Sequence, residues 1–401
     1  MDSFLPASVY CNNVFDGTHE TPKHVEIGRP FVTSKNIMGR KLDLSSSYNV
    51  SESDYNSFQI RSQVSQWDVL FSLIGSVGEV YLEKEENIPY AIKNIGVFSC
   101  KDEYKAKWLY YYLQSPYAKT HINSHLRGAV QKFLSLGLLR EFPIPNYDKS
   151  KNKIIDCLFD LDTKIELNQR INAELESMAK TLYDYWFVQF DFPNEKGKPY
   201  KSAGGKMVWN EALKREIPLG WEVGELGDIV NIYDSKRIPL SNVQREKIQG
   251  KYPYYGATSV MDYINDFIFD GEYILIAEDG SVMDEKGFPF VQYIWGKTWV
   301  NNHTHVLQPK DLSNYEYLFF SLKSISVVQI MTGSVQKKIN QENLAGVKFA
   351  TPDKKTLQLF SNFSTPIRKR IINLVEESQT LTELRDWLLP MLMNGQVRVT
   401  G

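Results

Sequence analysis

The chain has little of what metal and covalent-catalytic sites are made from: three cysteines and six histidines in 401 residues. Cys11, Cys100 and Cys157 are odd in number and far apart, so they form neither a disulfide framework nor a CxxC metal site and suit a reducing cytoplasm. No run of eighteen apolar residues occurs, so no membrane span is expected. The opening MDSFLPASVY has no basic segment leading into an apolar one, and no secretory signal is expected. Neither charge sign dominates: 46 Lys and Arg face 48 Asp and Glu, for a formal net charge of −2. That gives no global pull toward nucleic acid, argues against a lone non-specific DNA binder, and leaves room for local basic patches.

Catalytic signatures are equally scarce. There is no GxGxxG and no paired-proline methyltransferase motif. Gly296-Lys297-Thr298 imitates the end of a phosphate loop, but Val291 stands where its first glycine belongs. Asp102-Glu103-Tyr104-Lys105 contains the Glu-x-Lys of some nucleases without an assignable upstream metal-binding Asp, and reads as a solvated charge run. His121 and His125 have a helical metal spacing but no third ligand nearby, which favours a surface pair. His303 and His305 share one face of a strand and follow Asn301 and Asn302. A polar binding edge, a metal site and ordinary strand-end polarity all fit them.

What is present is enough apolar residue, 42%, for two or three cored domains. It also includes two helical seams. Leu158, Leu161, Ile165, Asn168, Asn172, Leu175, Ala179 and Leu182 step by three and four residues, which is a heptad repeat that wants a partner helix. Asn168 and Asn172 are the register residues, because a slipped pairing would leave a buried amide unsatisfied. The partner seam is Phe360, Ile367, Ile371, Leu374, Leu381 and Leu388, with Ser364, Ser378 and Arg385 between. Helices of ~25 to ~35 residues span roughly 37 to 52 Å, longer than the ~34 Å of one duplex turn.

A strand-rich segment precedes each seam, and the two segments repeat each other. NVFDGTH (Asn13 to His19) matches NIYDSKR (Asn231 to Arg237). WLYYYLQS (Trp108 to Ser115) matches YLFFSLKS (Tyr317 to Ser324). Gly75-Ser76-Val77 matches Gly280-Ser281-Val282, and GAVQK (Gly128 to Lys132) matches GSVQK (Gly333 to Lys337). The order recurs at a spacing of about 200 residues, too long for a solenoid, so a domain-plus-helix unit is duplicated. The fold class is α+β: two β-rich domains, each followed by a long helix, with the helices paired as an antiparallel coiled coil about a pseudo-two-fold. The expected boundaries are 1–150 for the first domain, 151–190 for the central helix and 191–216 for a Gly/Lys/Pro/Ser linker. The second domain takes 217–353 and the distal helix 354–396. Within the first domain, Trp67 to Val80 reads as a strand buried on both faces that runs into a Gly-Ser turn. Pro366 should break or kink the distal helix, which should stop near Pro390 and Asn394-Gly395.

The repeated GxVQK loop is the best binding candidate. Glycine permits a tight turn, lysine can meet a phosphate, and glutamine can pair with adenine in the major groove; a plain structural turn fits it equally well. Candidate DNA contacts are therefore Gln131, Lys132, Gln336 and Lys337, with Lys338, Lys35, Asn36, Lys236, Arg237 and Tyr255 as weaker ones. The aromatic cluster Tyr183 to Phe192 reads as core rather than as a stacking platform.

In order along the chain, several short pieces resemble the specificity subunit of a type I restriction-modification system. They are DGTHETP, the Trp67-Asp68-Val69-Leu70 strand with its Gly-Ser turn, GAVQK, YDYWFVQFDF, IPLGWEVGELGD, YPYYGATSVMDYI, FDGEYILIAEDGSV, NNHTHVLQP, GSVQK and LMNGQV. Each is weak alone; their joint order over nearly the whole length carries the likeness. The first repeat departs by opening more briefly, with little beyond Leu5-Pro6 in place of IPLGWEVGELGD. The resemblance implies two target recognition domains, each reading half of a bipartite site in double-stranded DNA, with the paired helices setting the spacer. It implies two methyltransferase subunits bringing S-adenosylmethionine and restriction (motor-nuclease) subunits bringing ATP and Mg. No cofactor or metal is expected on this chain, and no catalysis. The alternatives from other classes are a DNA-cutting enzyme and an interaction scaffold with no DNA role.

Overall fold

The computed structural model describes residues 3–126, 133–333, 337–397 and 399. It divides into two compact units, Met1–Asn168 with Glu376–Gly401, and Gln169–Val375. The division cuts through both long helices instead of falling at the domain-helix junctions expected at 150 and 353. Each unit therefore holds one domain with a part of each helix.

In the first unit, strands β1 (Asn13–Asp16), β2 (Asp68–Ser72), β3 (Val80–Leu82) and β4 (Ile95–Ser99) form an antiparallel sheet in the order β1-β4-β2-β3. All five residues of β2 are buried, as its two apolar faces required. Val69 and Phe71 face helix α1 (Glu103–Gln114), while Leu70, beside Val97 of β4, faces Val32 and Ile92 in a second layer. That layer carries a three-stranded sheet of Tyr48–Val50, Arg29–Thr33 and Ala91–Lys93. The start of α1 is fixed by Asp102, whose carboxylate accepts from the Lys105 backbone N–H at 2.8 Å. Glu103 pairs with Lys107 at 2.6 Å. The acidic residues of the nuclease-like run are thus a helix cap and an ion pair.

The second unit repeats the plan. Strands β5 (Val230–Ile232), β6 (Tyr273–Ala277), β7 (Val291–Ile294) and β8 (Thr304–Pro309) run antiparallel in the order β5-β8-β6-β7, followed by helix α2 (Tyr315–Ser324). Ile274 and Ile276 join Tyr183, Phe187, Leu318, Phe320 and Phe360 in one core, and Leu275 faces a second core with Phe269 and Val300. The aromatics at the end of the central helix are therefore core residues.

The central helix runs Asn152–Tyr183 and continues into a π-helical turn, Asp184–Val188. The distal helix runs Lys354–Met393. At 1.5 Å per residue these are about 48 and 60 Å long. In the first unit the helices are antiparallel. Asp162 meets Arg385 at 2.6 Å, and farther along Asn168 donates from Nδ2 to Glu377 at 2.8 Å and to Ser378 Oγ at 3.3 Å. In the second unit Tyr183 and Trp186 pack on Phe360. Asn168 is fully buried. Asn172 is half-buried, with its Oδ1 enclosed and unpaired among the described residues.

Two expectations are corrected. Pro366 does not break the distal helix, which is continuous through it. The lost backbone bond lies in a stretch held from both sides, by Phe360 and Ile367 in the core and by Arg368 clamped on Glu316 at 2.6 and 3.1 Å. The helix stops at Met393, three residues past Pro390 and next to Asn394-Gly395 as expected, with Gly395 in the left-handed region at φ 70°. The stretch 191–216 is not a linker. Phe192 stacks on Tyr200 and Trp221 at 4.7 and 5.2 Å, and Met207–Asn210 pairs with Arg215–Pro218 as a hairpin. Its few aromatics find a core that its polar composition concealed.

Because Pro366 sits in intact helix, Pro366→Ala should raise unfolding stability by about 1–3 kcal/mol, the restored hydrogen bond and relieved clash. Urea unfolding checks this; a lower midpoint would mean that proline is required there.

Candidate nucleic-acid interface

The duplicated sheets allow residue-by-residue comparison of one sheet end. In β1 and β4, Asn13 faces Ser99 and Asp16 faces Gly96; in β5 and β8, Asn231 faces Gln308. The same register brings Asp234 level with His305. Gly96 faces Phe71 on β2 and His305 faces Ile276 on β6. Hence Leu73 corresponds to Glu278, Ile74 to Asp279, and the two Gly-Ser turns to each other.

The chemistry at these equivalent positions differs. In the first unit it is apolar at Gly96 and Leu73. A Cβ on Gly96 would lie 2.4 Å from Leu139 Cδ2 and 3.2 Å from Leu73 Cδ2, so a larger residue there would require those leucine ends to shift. Asp16 there pairs with His19 at 3.2 Å, and His19 Nδ1 meets Asn94 Oδ1 at 2.7 Å. In the second unit the same place holds a charge network. His305, buried, faces Asp234 Oδ2 from Nδ1 at 2.5 Å and the Ile339 carbonyl from Nε2 at 2.8 Å. Arg237 donates to Glu278 at 2.6 Å and to the Thr304 carbonyl at 2.8 Å. Lys338 reaches the other Glu278 oxygen at 2.8 Å.

Asp234, Glu278 and His305 are close enough to suggest a metal centre, with donor atoms all within 4.8 Å. The donor set does not fit one. His305 Nδ1 and Asp234 already satisfy each other, and Nε2 is engaged by the Ile339 carbonyl. Arg237 and Lys338 already neutralise Glu278. The network is a structural brace that ties β5, β6 and β8 to the strand that follows the GSVQK loop.

Beside this brace lies a cavity of about 390 Å³ lined by Gly256 to Ser259, Met261, Asp279 to Ser281, Asn301 and His303. Gln292 Nε2 holds its turn by donating to the carbonyls of Gly256 and Ala257 at 3.0 and 3.2 Å. His303, with its side chain 51% exposed, points Nδ1 at Asp279 Oδ1 at 2.5 Å. The Asp279 backbone forms an antiparallel β-bridge with that of Lys338.

The candidate contacts fall into distinct environments. Lys35 and Lys236 are exposed, Lys236 over the Tyr233 ring at 4.6 Å. Lys337 is exposed and Lys338 half-exposed. Asn36 is corrected: it is buried, its Oδ1 accepting from the Thr33 N–H at 2.8 Å and its Nδ2 donating to Asp43 O and Ser46 Oγ at 3.2 and 3.1 Å. With its amide engaged on both ends it braces a turn and cannot read a base. Arg237 is corrected for the same reason, its guanidinium being spent on Glu278 and backbone carbonyls at 12% exposure. Tyr255 is half-buried against Phe269 and Leu275, and burial pushes its phenol up to about 12. Gln131, Lys132 and Gln336 lie outside the described residues. His125 Nδ1 is within 2.9 Å of the His121 carbonyl, so the i, i+4 pair is tied to its own helix. Glu278 and Asp279 were missed as candidates. The signal for them is an acidic pair at a strand end whose counterpart in the first repeat is Leu73-Ile74.

Burial opposes ionisation of Asp234 and Glu278, but their partners prevail: His305 holds the Asp234 carboxyl below its ordinary value, and Lys338 and Arg237 do so for Glu278. Acids depressed in this way add stability that is complete above the unfolded value and is lost as pH falls through the folded one. Stability should therefore decline on acidification below about pH 4. Glu278→Gln should flatten that decline in a pH series of unfolding curves; an unchanged slope would remove Glu278 from the network's energetics.

Comparison with known proteins agrees with this duplicated plan. The family model for the type I restriction modification DNA specificity domain matches residues 27–177 and 218–377. The type I restriction enzyme MjaIX specificity subunit of Methanocaldococcus jannaschii is 25% identical over 319 residues, 75% of this chain and 71% of that protein. The type I restriction enzyme HindI specificity subunit of Haemophilus influenzae is 23% identical over 313 residues, 62% of this chain and 67% of that protein. The crystal structure of a type I restriction-modification system S subunit from M. genitalium has the same fold, with a TM-score of 0.58 at 16% identity, covering 97% of this chain and 95% of that one. Two matched domains, each filled by one repeat of the same sheet and helix, show that this chain belongs to the type I restriction modification DNA specificity family.

Proposed function

We propose that this chain is the DNA-recognition subunit of a type I restriction-modification complex, in which each β-rich domain reads one half of a bipartite site and the paired helices separate the two readers. The observation that carries this reading is one scaffold built twice with different chemistry at the equivalent sheet end, apolar at Gly96 and charged at His305. A duplicated reader of two unlike half-sites requires constant architecture and variable contact chemistry. Base edges differ only in donors, acceptors and methyl groups, so a few side chains change the sequence read.

In this reading the chain does no chemistry itself. Asp102 serves as a helix cap and Glu103 as an ion-pair partner, and the Asp234-Glu278-His305 cluster is neutralised internally, which speaks against a DNA-cutting alternative. Two methyltransferase subunits would dock on the helices and bring S-adenosylmethionine; restriction subunits would bring ATP and Mg. Those subunits would also embrace the duplex, which reconciles a net charge of −2 with DNA binding. The complex would work in the cytoplasm. Among the described residues, no helix is long and apolar enough to cross a membrane.

The test is selection of random duplexes by the chain assembled with its methyltransferase subunit. A split motif is expected; unselective retention would contradict the reading. Once the motif is known, Lys337→Ala should lower the slope of log affinity against log salt by about 1, the mark of one lost phosphate contact. An unchanged slope would take Lys337 out of the interface.

A further inference from the structure

We infer that His303 is a specificity-determining residue of the second domain, accepting a hydrogen bond from the exocyclic amine of one base in the major groove; this rests on the DNA-reading function proposed above. The ring stands in the wall of the 390 Å³ cavity, with its side chain 51% exposed. Asp279 Oδ1 lies 2.5 Å from Nδ1. An ionised carboxylate only accepts, so it holds a proton on Nδ1, and in the neutral tautomer of the ring Nε2 carries the lone pair. Nε2 has no hydrogen-bond partner among the described residues, whereas both nitrogens of the neighbouring His305 are engaged.

The segment that carries the ring is held from several sides. The His303 N–H donates to Asn301 Oδ1 at 2.9 Å, and its carbonyl accepts from the Glu278 N–H at 2.9 Å. Arg237 donates to the Asn302 carbonyl at 3.4 Å and ties the segment to the charge brace. A reader on such a support keeps its geometry before the base arrives. In the major groove adenine N6 and cytosine N4 donate, while guanine O6 and thymine O4 only accept. A fixed lone pair therefore favours an amine and repels a keto oxygen at the same place. Lys338, whose backbone forms a β-bridge with Asp279, keeps its ammonium on Glu278 and so fixes the Asp279 end of the cavity. The first unit has Ile74 at the Asp279 position, so this reader belongs to the second half-site alone.

The experiment compares wild-type, His303→Ala and Asp279→Ala complexes with the methyltransferase subunit, by equilibrium binding to duplexes carrying each base pair in turn at every position of the mapped site. His303→Ala should lose roughly ten- to a hundredfold of discrimination at one base pair of the second half-site, the worth of a good base contact. The first half-site and the gap should be unchanged. Asp279→Ala, which keeps the ring but frees its proton, should relax the same base pair. Replacing the amine-bearing base at that position by its des-amino analogue should weaken wild type and leave His303→Ala indifferent. Unaltered discrimination by His303→Ala at every second-half position would overturn the inference while leaving DNA reading in place, as would equal loss on the des-amino duplex by wild type and variant. If the wild-type complex itself discriminates at no position, it is the DNA-reading function that fails.

Discussion

The constraint on which the rest depends is the set of buried polar contacts that tie the long helices in place. Asp162 on the central helix gathers Arg385 of the distal helix, the Tyr111 hydroxyl of α1 and Arg40, at 2.6, 2.8 and 3.3 Å. Asn168 adds Glu377 and Ser378. An apolar seam alone tolerates a slip of three or four residues, since one leucine resembles the next. A slip here would strand a carboxylate, a guanidinium and an amide in a dry interface, at several kcal/mol for the charges. The second unit uses the same device with other residues, clamping Arg368 on Glu316 of α2. Each domain is thereby locked to a defined stretch of helix.

Duplication shows where the fold is constrained and where it is free. The sheet order, the helix after it and the Gly-Ser turn recur. At matching helix positions a buried charge persists with its sign reversed: Lys107, paired with Glu103 and lying 3.5 Å from the Phe159 ring centre, answers to Glu316. What has diverged most is the sheet end that holds His305 and Glu278 in one unit and Gly96 and Leu73 in the other. A scaffold that keeps its helix contacts while changing that end can present different recognition chemistry at the same station.

Much of this was legible before any coordinates, because it is written in local periodicity. The seam through Leu158 and Asn168, the two-faced strand at Val69 to Phe71 and the paired order of NVFD with NIYD all follow from spacing. What escaped is non-local. Pro366 carries a local helix-breaking rule that packing around Phe360 and Arg368 overrides. The 191–216 stretch looks like a tether until Phe192 meets Trp221. Asn36 and Arg237 are polar residues in turn-like sequence, and nothing in their neighbours announces that Asp43 and Glu278 will occupy them. Of the candidate site, Lys35, Lys236, Lys337 and Lys338 are exposed, as solvated lysines should be, while Asp279, which orients His303, lies 24 residues away along the chain.

The most direct measurement is to express this chain with the methyltransferase subunit proposed to dock on it, in a host lacking adenine methylation, and to map modified adenines across the genome. Two half-sites of unlike sequence separated by a fixed gap are the result that two locked readers on paired helices must give. A single uninterrupted motif, a variable gap, or a stable complex that modifies nothing would contradict it.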